Sequence, residues 1–309
     1  MIKLKTGSLK TKTADYAVRV LGFDDCRFTD LNLSASTVVY KKWLARGFHG
    51  EMAYLKKHLP FKENPRLLLP DARSAIVVIK NYKNTPVRRL AQRIKIARYA
   101  VGQDYHGVIG NNLLRLEKFL KNEDPKIQCY SAVDSRPVSE RSLALKAGIG
   151  FLGKNAMVIK PGLGSYFFIG VILINHEFET DLPLKKDCGE CRLCLDACPT
   201  DAIREGAAID ATKCLSYRTI ERKSPLSDLE AKSTEGWVFG CDICQEVCPY
   251  NAGRGALTDW TELLPRAGVG FDFFDRLASG AVEKKIPKDS PLKRAGPRLW
   301  QNWRAMIEN

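Results

Sequence analysis

The longest strongly apolar run in this chain of 309 residues is FFIGVILI, from Phe167 to Ile174. It falls far short of the roughly 20 apolar residues that cross a bilayer, so no membrane-spanning helix is expected. The amino-terminal stretch MIKLKTGSLKTKTADYAVRVLGF has no continuous apolar core and no twin arginines. Both absences argue against export, and a cytoplasmic protein with no membrane partner is expected. There is no convincing internal repeat. There is also no basic tail to absorb the formal charge of +14, which comes from 49 Lys and Arg against 35 Asp and Glu. The excess positive charge therefore belongs to the folded surface. A small anionic metabolite needs no such field, whereas a polyanion responds to it strongly. Basic surfaces also occur on proteins that bind no nucleic acid, so charge alone leaves both readings open.

Ten cysteines are present. In a reducing compartment that number points to metal ligands more than to disulfides. The segment CGECRLCLDACP places Cys188, Cys191, Cys194 and Cys198 in the C-x2-C-x2-C-x3-C-P run of bacterial two-cluster ferredoxins. Short spacers bring three thiolates to three irons of one cubane, and the fourth cysteine, followed by Pro199, ligates a second cluster. That arrangement demands a complementary set. GCDICQEVCPYN supplies Cys241, Cys244 and Cys248, and KCLSY supplies Cys214. The expected sharing is Cys188, Cys191, Cys194 and Cys248 on one 4Fe–4S cluster, with Cys198, Cys214, Cys241 and Cys244 on the other. Paired C-x-x-C motifs also hold zinc, but zinc needs no cross-ligating cysteine followed by proline. Cys26 and Cys129 stand outside these runs and read as small core residues.

The length allows two modest domains or one with a large insertion. Short apolar runs and turn signals before about residue 180 predict a mixed α and β region. Ala14–Leu21 reads as a short helix and Ala75–Ile79 as a buried strand. Helices are expected over about Val87–Val101 and Val108–Leu120. IQCYSAVD reads as a strand that delivers Asp134 to its end, and SERSLALKAG as a helix capped by Ser139 and stopped by Gly148. MVIKPGLGSYFFIGVILIN reads as a strand hairpin turning at Gly162 and Gly164. The expected fold class is α+β: a mixed α/β domain over 1–180, a ferredoxin-like module over 181–255, and a segment over 256–309 that packs on the core.

Two motifs invite a wrong reading. AGIGFLGKN contains Gly148, Gly150 and Gly153 in the G-x-G-x-x-G spacing of a dinucleotide fingerprint. Such a fingerprint follows a strand and opens a helix, whereas this one follows the predicted helix SERSLALK, so its glycines read as a helix stop and a tight connection. DYHGVIG, from Asp104 to Gly110, is close to the D-x-H-x-x-G signature of proteins that ligate cobalamin through histidine, but its last glycine comes one residue late. His106 is therefore not assigned to cobalt. A place in a substrate pocket and an ordinary structural role both remain open for it.

Taken together, VDSRPVSERSLALKAGIGFLGKN, GSYFFIG, RYAVGQDYHGV, NPRLLLPDARSAIVV and the two cysteine segments strongly resemble the epoxyqueuosine reductase family, over roughly residues 15–300. The resemblance implies a cobalamin-dependent iron–sulfur oxidoreductase. Such an enzyme reduces epoxyqueuosine to queuosine at the wobble position of tRNA, the last step of queuosine biosynthesis. Cobalamin would be bound base-off in the first domain. The two clusters would pass it electrons from an external low-potential donor such as flavodoxin or ferredoxin, and the protein would act as a monomer. Longer members carry a C-terminal HEAT-like helical repeat domain. Because this sequence ends with GPRLWQNWRAMIEN, a short form is expected.

Residue by residue, the resemblance makes Asp134 the proton donor, with a pKa expected to be raised by burial. From local sequence alone, a turn or cap role fits Asp134 as well. Arg141 would pair with Asp134 or bind a corrinoid amide. Lys154, Asn155, Gly164, Ser165 and Ser216 are candidate cofactor contacts. Solvent exposure remains the alternative for Lys154, and helix capping for Ser216. Tyr99 and Tyr105 would shape the pocket or simply pack. RRLAQRIKIARYAVG and VEKKIPKDSPLKRAGPRLWQNWR are candidate tRNA-backbone contacts. Two other readings remain: a reductive dehalogenase-like corrinoid enzyme acting on a small molecule, and a non-catalytic electron carrier.

Overall fold

The computed structural model describes residues 7–85, 88–89, 94–224, 226–252, 256–265 and 286–296. The strands are β1 (Asp25–Asp30), β2 (Ser74–Asn81), β3 (Arg88–Arg89), β4 (Ile94–Ile96), β5 (Cys129–Ala132), β6 (Phe151–Leu152), β7 (Val158–Ile159), β8 (Phe167–Ile174), β9 (Ile203–Arg204), β10 (Ala208–Ile209) and β11 (Trp237–Phe239). The α-helices are α1 (Leu9–Asp15), α2 (Ser34–Ala45), α3 (Tyr54–Lys57), α4 (Leu59–Glu63), α5 (Tyr105–Glu123), α6 (Glu140–Lys146), α7 (Leu193–Asp196), α8 (Leu215–Ile220), α9 (Asp228–Lys232) and α10 (Ile243–Glu246). Among the described residues, no helix is long and apolar enough to cross a membrane.

An antiparallel sheet in the order β1-β2-β8-β5 forms the centre. Antiparallel sheets often wet one face, but here both faces are covered, which explains the unbroken apolar runs AIVVI and FFIGVILI. Successive β2 side chains point to opposite faces. Ile76 and Val78 pack with Ile109, Leu113 and Leu116 of α5. Ala75, Val77 and Ile79 pack with Leu143 and Ala144 of α6. Burying each such Val, Leu or Ile contributes about 1.5–3 kcal/mol. Cys26 and Cys129 both belong with the α5 side of this core.

Two expected elements take a different form. Instead of a helix across about Val87–Val101, the chain forms β3, β4 and a single tight turn over Arg98–Ala100, with residues 90–93 outside the described set. Pairing partners distant in sequence override the local helical pattern. Lys95 N donates to Gly236 O at 2.8 Å and Ala97 N to Phe239 O at 2.9 Å, so β4 runs parallel to β11 of the cysteine-bearing segment. Arg98 consequently points inward: it donates to Asn84 O at 2.6 Å and faces the Tyr166 ring, and is not free for a tRNA phosphate. The hairpin expected after Met157 also divides. β7 pairs with β6, a single bridge joins Lys160 to Gly164, and β8 leaves to pair with β2 and β5. Near residue 165 the chain is turned by a bond from Ser165 N to Asn251 Oδ1 at 2.8 Å.

Residues 256–265 close over the edge of the first domain. Lys80, 1% exposed, donates to Gly22 O at 2.7 Å and to the Asp259 carboxylate, and lies 4.9 Å from the Trp260 ring centroid. Removing Asp259 would leave a buried ammonium with Gly22 O and the more distant Asp24 carboxylate at 3.6 Å. Asp259→Ala is therefore expected to destabilise the fold by about 1–2 kcal/mol, the lower end of the range for a charged hydrogen bond because Asp259 itself is largely exposed. A lower urea midpoint with an unchanged slope is the expected reading.

Candidate active site

Asp134 follows β5 in a left-handed conformation, φ 48°. Aspartate tolerates this region better than most side chains. The kink aims the carboxylate at the start of α5. Tyr105 donates its hydroxyl to Asp134 Oδ2 at 2.8 Å, and Arg294 Nη1 donates to the same oxygen at 3.1 Å. His106 Nε2 lies 3.1 Å from it. The Asp134 N–H donates to Glu140 Oε1 at 2.5 Å, which ties the strand end to the first turn of α6. Ser139 does take the N-cap position of α6, but without a capping side-chain bond.

His106 is engaged on both ring nitrogens. Asp104, the N-cap of α5, lies 2.6 Å from Nδ1, and Arg294 Nη2 lies 2.5 Å from Nε2. Burial and the Arg294 charge pull the His106 pKa down, but the hydrogen bonds to Asp104 and Asp134 outweigh them and raise it, which favours a ring that donates to both carboxylates. The near-match to a cobalt-ligating signature thus serves a hydrogen-bond network around Asp134. Tyr105 belongs to that network and Tyr99 packs edge-on against it.

The titration of Asp134 differs from expectation. Burial pushes its carboxyl up, but hydrogen bonds from His106 and Tyr105 and the charge of Arg294 outweigh burial and hold the pKa at about 2. Glu140 takes the opposite course. Burial, and then the Asp134 charge, push it up to about 8. Two adjacent carboxyl groups are thus split, one ionised and one carrying a proton near neutrality.

Both line a cavity of about 670 Å³. Its lining includes Ser36, Tyr40, Tyr54 and Lys62, together with Ile220 and Glu221. Ser135, Ser139 and Ser142 add hydroxyls, and Arg141 adds a guanidinium. This donor set, aromatic faces ringed by hydroxyl and cationic donors, fits a flat macrocycle fringed with amides. Arg141 does not pair with Asp134; its Nη1 donates to Ala156 O at 2.8 Å.

The other expected cofactor contacts lie apart from this cavity lining. Lys154 Nζ donates to Gly189 O at 2.7 Å and Cys191 O at 2.9 Å, so it is neither a cavity residue nor freely solvated. Asn155 Nδ2 reaches Cys244 O at 3.2 Å. Ser165 Oγ lies 2.9 Å from Gln245 Oε1, and a Cβ on Gly164 would stand 2.1 Å from Asn251 Oδ1. These four positions clamp the cysteine loops onto the first domain. Ser216 sits in the first turn of α8, two residues after Cys214 at its N-cap, and its carbonyl accepts from Thr219. The glycines of AGIGFLGKN act as a helix stop and close packing. Gly148 has φ 74° and would meet Leu182 O at 2.2 Å if it carried a Cβ.

None of the ten cysteines forms a disulfide. Burial, then Cys188, Cys248 and Cys191, push the Cys194 thiol up, so these four are neighbours. Burial, then Cys214 and Cys198, do the same at Cys241. Cys244 feels Cys241, Cys214 and, across the divide, Cys194, so the two groups adjoin. Among the described residues, no three His, Cys, Asp or Glu converge as a site for one ion. Thiols spread over the corners of two cubanes fit this spacing better than a zinc tetrahedron does. Cys26 lies buried outside both groups, with its thiol pKa raised by burial.

Sequence reasoning passed over Glu140 and Arg294. Glu140 stands six residues from Asp134, a spacing with no standard motif. Arg294 comes from the segment 291–295, and no local signal could place it beside residue 134. Of the two basic segments expected to meet tRNA, residues 90–93, 282–285 and 297–304 lie outside the described set.

Comparison with known proteins agrees with this geometry. Residues 62–135 match a family model described as epoxyqueuosine reductase QueG, DUF1730, and residues 187–251 match a 4Fe-4S double cluster binding domain. An epoxyqueuosine reductase of Cyclobacterium marinum is 43% identical over 292 residues, which cover 93% of this chain and 92% of that protein. The Escherichia coli epoxyqueuosine reductase is 33% identical, over 91% of this chain and 76% of its own. A crystal structure of epoxyqueuosine reductase with an epoxyqueuosine-modified tRNA-Tyr stem loop superimposes with a TM-score of 0.80 at 28% identity, covering 97% of this chain and 80% of that one. A Bacillus subtilis epoxyqueuosine reductase, solved with its Asp134 catalytic loop swung out of the active site, gives the same TM-score, 0.80, at 28% identity, covering 97% of this chain and 81% of that one. With its clusters' thiols, its carboxylate network and this extent of similarity, the chain belongs to the epoxyqueuosine reductase family.

Proposed function

We propose that this protein reduces epoxyqueuosine to queuosine in the anticodon loop of tRNA, with Asp134 handing protons to the departing epoxide oxygen. The observation that carries this reading is the cavity itself. Asp134 shares its lining with Ile220 and Glu221, at the end of the helix that starts from Cys214. Bound cobalamin would supply the reducing cobalt centre, recharged through two 4Fe–4S clusters by an external low-potential donor such as flavodoxin or ferredoxin.

Cys188, Cys191, Cys194 and Cys248 would hold the distal cluster. Cys198, Cys214, Cys241 and Cys244 would hold the proximal one, because Cys214 caps the helix that reaches the cavity. Arg141 and the serine hydroxyls would engage the amide fringe of the corrinoid. Tyr105, His106 and Arg294 orient the Asp134 carboxylate. Lys56 and Lys57 are exposed on α3, whose Tyr54 and neighbouring Leu55 line the cavity. They are placed to meet phosphates, an affinity that salt should weaken.

The test is turnover. The cofactor-loaded protein, a low-potential reductant and tRNA carrying epoxyqueuosine are combined without oxygen, and the nucleosides are analysed. Conversion to queuosine is expected; unchanged epoxyqueuosine with both clusters and corrinoid bound would reject the reading.

A further inference from the structure

Removing an epoxide oxygen to leave a carbon–carbon double bond breaks two C–O bonds and forms one π bond. It takes up two electrons and two protons and releases water. On the function proposed above, the external donor supplies the electrons through the clusters, and both protons pass through Asp134. Three contacts converge on one oxygen of that residue. The Tyr105 hydroxyl at 2.8 Å, Arg294 Nη1 at 3.1 Å and His106 Nε2 at 3.1 Å all meet Oδ2. An oxygen so surrounded belongs to a carboxylate, which has no proton of its own to give. Asp134 therefore has to be charged by a neighbour before each transfer.

The neighbours differ in ordinary acidity. A phenol holds its proton to a pH of about 10 and a guanidinium to above about 12, whereas an imidazolium, at about 6.5, comes nearest to an aspartic acid at about 3.9. Glu140 meets Asp134 at the backbone N–H, not at the carboxylate. The His106 contact runs from side chain to side chain. Its ring lies between two carboxylates, with Asp104 Oδ1 2.6 Å from Nδ1. Asp104 thus holds the Nδ1 proton and leaves Nε2 as the nitrogen that exchanges, the way a carboxylate orients the imidazole of a hydrolase triad.

We infer that His106 is the proton relay of this site: its Nε2 proton passes to Asp134 Oδ2, Asp134 delivers it to the departing oxygen, and solvent returns a proton to Nε2. The His106 side chain is 18% exposed, which gives solvent that access. Arg294 completes the exchange. Its Nη2 lies 2.5 Å from the same Nε2, so the lone pair uncovered by the departing proton meets a donor already in place. One nitrogen thus has two partners, a carboxylate for its charged state and a guanidinium for its neutral one. A static hydrogen bond needs only the first. The Asp134 side chain is 47% exposed, so its carboxyl has room to turn about the Cβ–Cγ bond, a torsion with broad wells, and present the acid to the cavity. His106 acts through Asp134 and touches no substrate in this scheme.

The charged and titratable groups that bear on His106 come from four places. Asp104 caps α5, and Tyr105 beside it stacks at 4.2 Å between ring centroids. Asp134 comes from the loop after β5, Glu140 from α6 and Arg294 from the segment 291–295. Tyr54 of α3 and Tyr99 bear on Asp134 and Arg294. Burial and Arg294 oppose the imidazolium, while the bonds to Asp104 and Asp134 favour it more strongly, so the ring stays charged to a higher pH than an ordinary histidine. Loss of that charge on raising the pH removes the proton the relay passes on.

The test is His106→Gln, whose amide can still donate to Asp134 but cannot titrate. Epoxyqueuosine turnover is expected to fall roughly 10²-fold, with tRNA and corrinoid binding retained. The wild-type rate should decline on the alkaline side, and the variant should lose that limb. Asp104→Asn removes a bond that raises the His106 pKa, so its alkaline limb should move to lower pH. A substrate-free readout accompanies these rates. In ¹⁵N-histidine-labelled protein carrying its clusters, nuclear magnetic resonance should show the His106 ring titrating above the ordinary imidazole midpoint of about 6.5, and at a lower pH in Asp104→Asn. H106Q with the wild-type rate would overturn the relay. So would a slow H106Q that keeps the alkaline limb, which would leave His106 a purely structural role, or a His106 ring that is neutral throughout the pH range of turnover. The resonance measurement needs no substrate, so its failure sinks the relay whatever the protein reduces, whereas failed tRNA conversion by the wild type sinks the function.

Discussion

Asp134→Asn is expected to keep both clusters, the corrinoid and tRNA binding, yet to convert epoxyqueuosine roughly 10²–10⁴-fold more slowly. Asparagine is nearly isosteric and can still accept from Tyr105 and Arg294, so the loop should stay in place. What it cannot do is receive a proton and pass it on. The low resting pKa of about 2 gives this prediction a pH signature. A carboxyl already ionised from weakly acidic to alkaline pH contributes no limb of its own to the wild-type rate profile across that range. The residual activity of the asparagine variant should therefore be low at every pH, not recovered at acidic pH. Full activity with loaded cofactors would remove Asp134 from the chemistry. A variant that lost tRNA binding or corrinoid instead would show a positioning role.

Cys214→Ser should have the larger effect on electron delivery. Cys214 is the one thiol of its group that lies outside the two C-x-x-C segments, and it forms the N-cap of the helix leading to the cavity wall. A hydroxyl is a poor ligand for iron that expects thiolate. Iron and sulfide content should fall by about half, as one of two clusters is lost. Turnover with a protein electron donor should drop to background, while the remaining cluster still gives an electron paramagnetic resonance signal on reduction. Cys129→Ser is the control. Cys129 lies on β5 against the core, away from both thiol groups, and its replacement should leave the iron content unchanged. Equal iron loss in both variants would mean that the fold, not cluster ligation, had failed.

The elements that were readable and those that were not differ in how far apart their partners lie. AIVVI and FFIGVILI are strands from composition alone, because a central strand covered on both faces can hold only apolar side chains. SERSLALKAG is a helix that ends where Gly148 adopts a positive φ, a stop carried by one residue type. The segment around Ile94 looked helical because its basic and apolar residues alternate at a spacing that suits a helix. Its hydrogen bonds to Gly236 and Phe239 made it a strand instead, and no window of local sequence contains those partners. Lys154, Asn155, Gly164 and Ser165 were expected as cofactor contacts. Their contacts in the fold run to the cysteine loops, which no local window of sequence contains.

What the sequence determined by itself is the chemistry that depends on short spacing. Three thiolates at C-x2-C-x2-C must meet neighbouring irons, whatever surrounds them, and the net charge of +14 requires a polyanion-tolerant surface in any fold. The tertiary structure alone decided the protonation chemistry. A carboxyl pKa depends on burial and on charges within a few ångströms, and those around Asp134 come from α5, α6 and a segment 160 residues away. Proximity of that kind is created by packing, which is why Asp134 could be named from the chain while its ionised state, and the proton held on Glu140, could not.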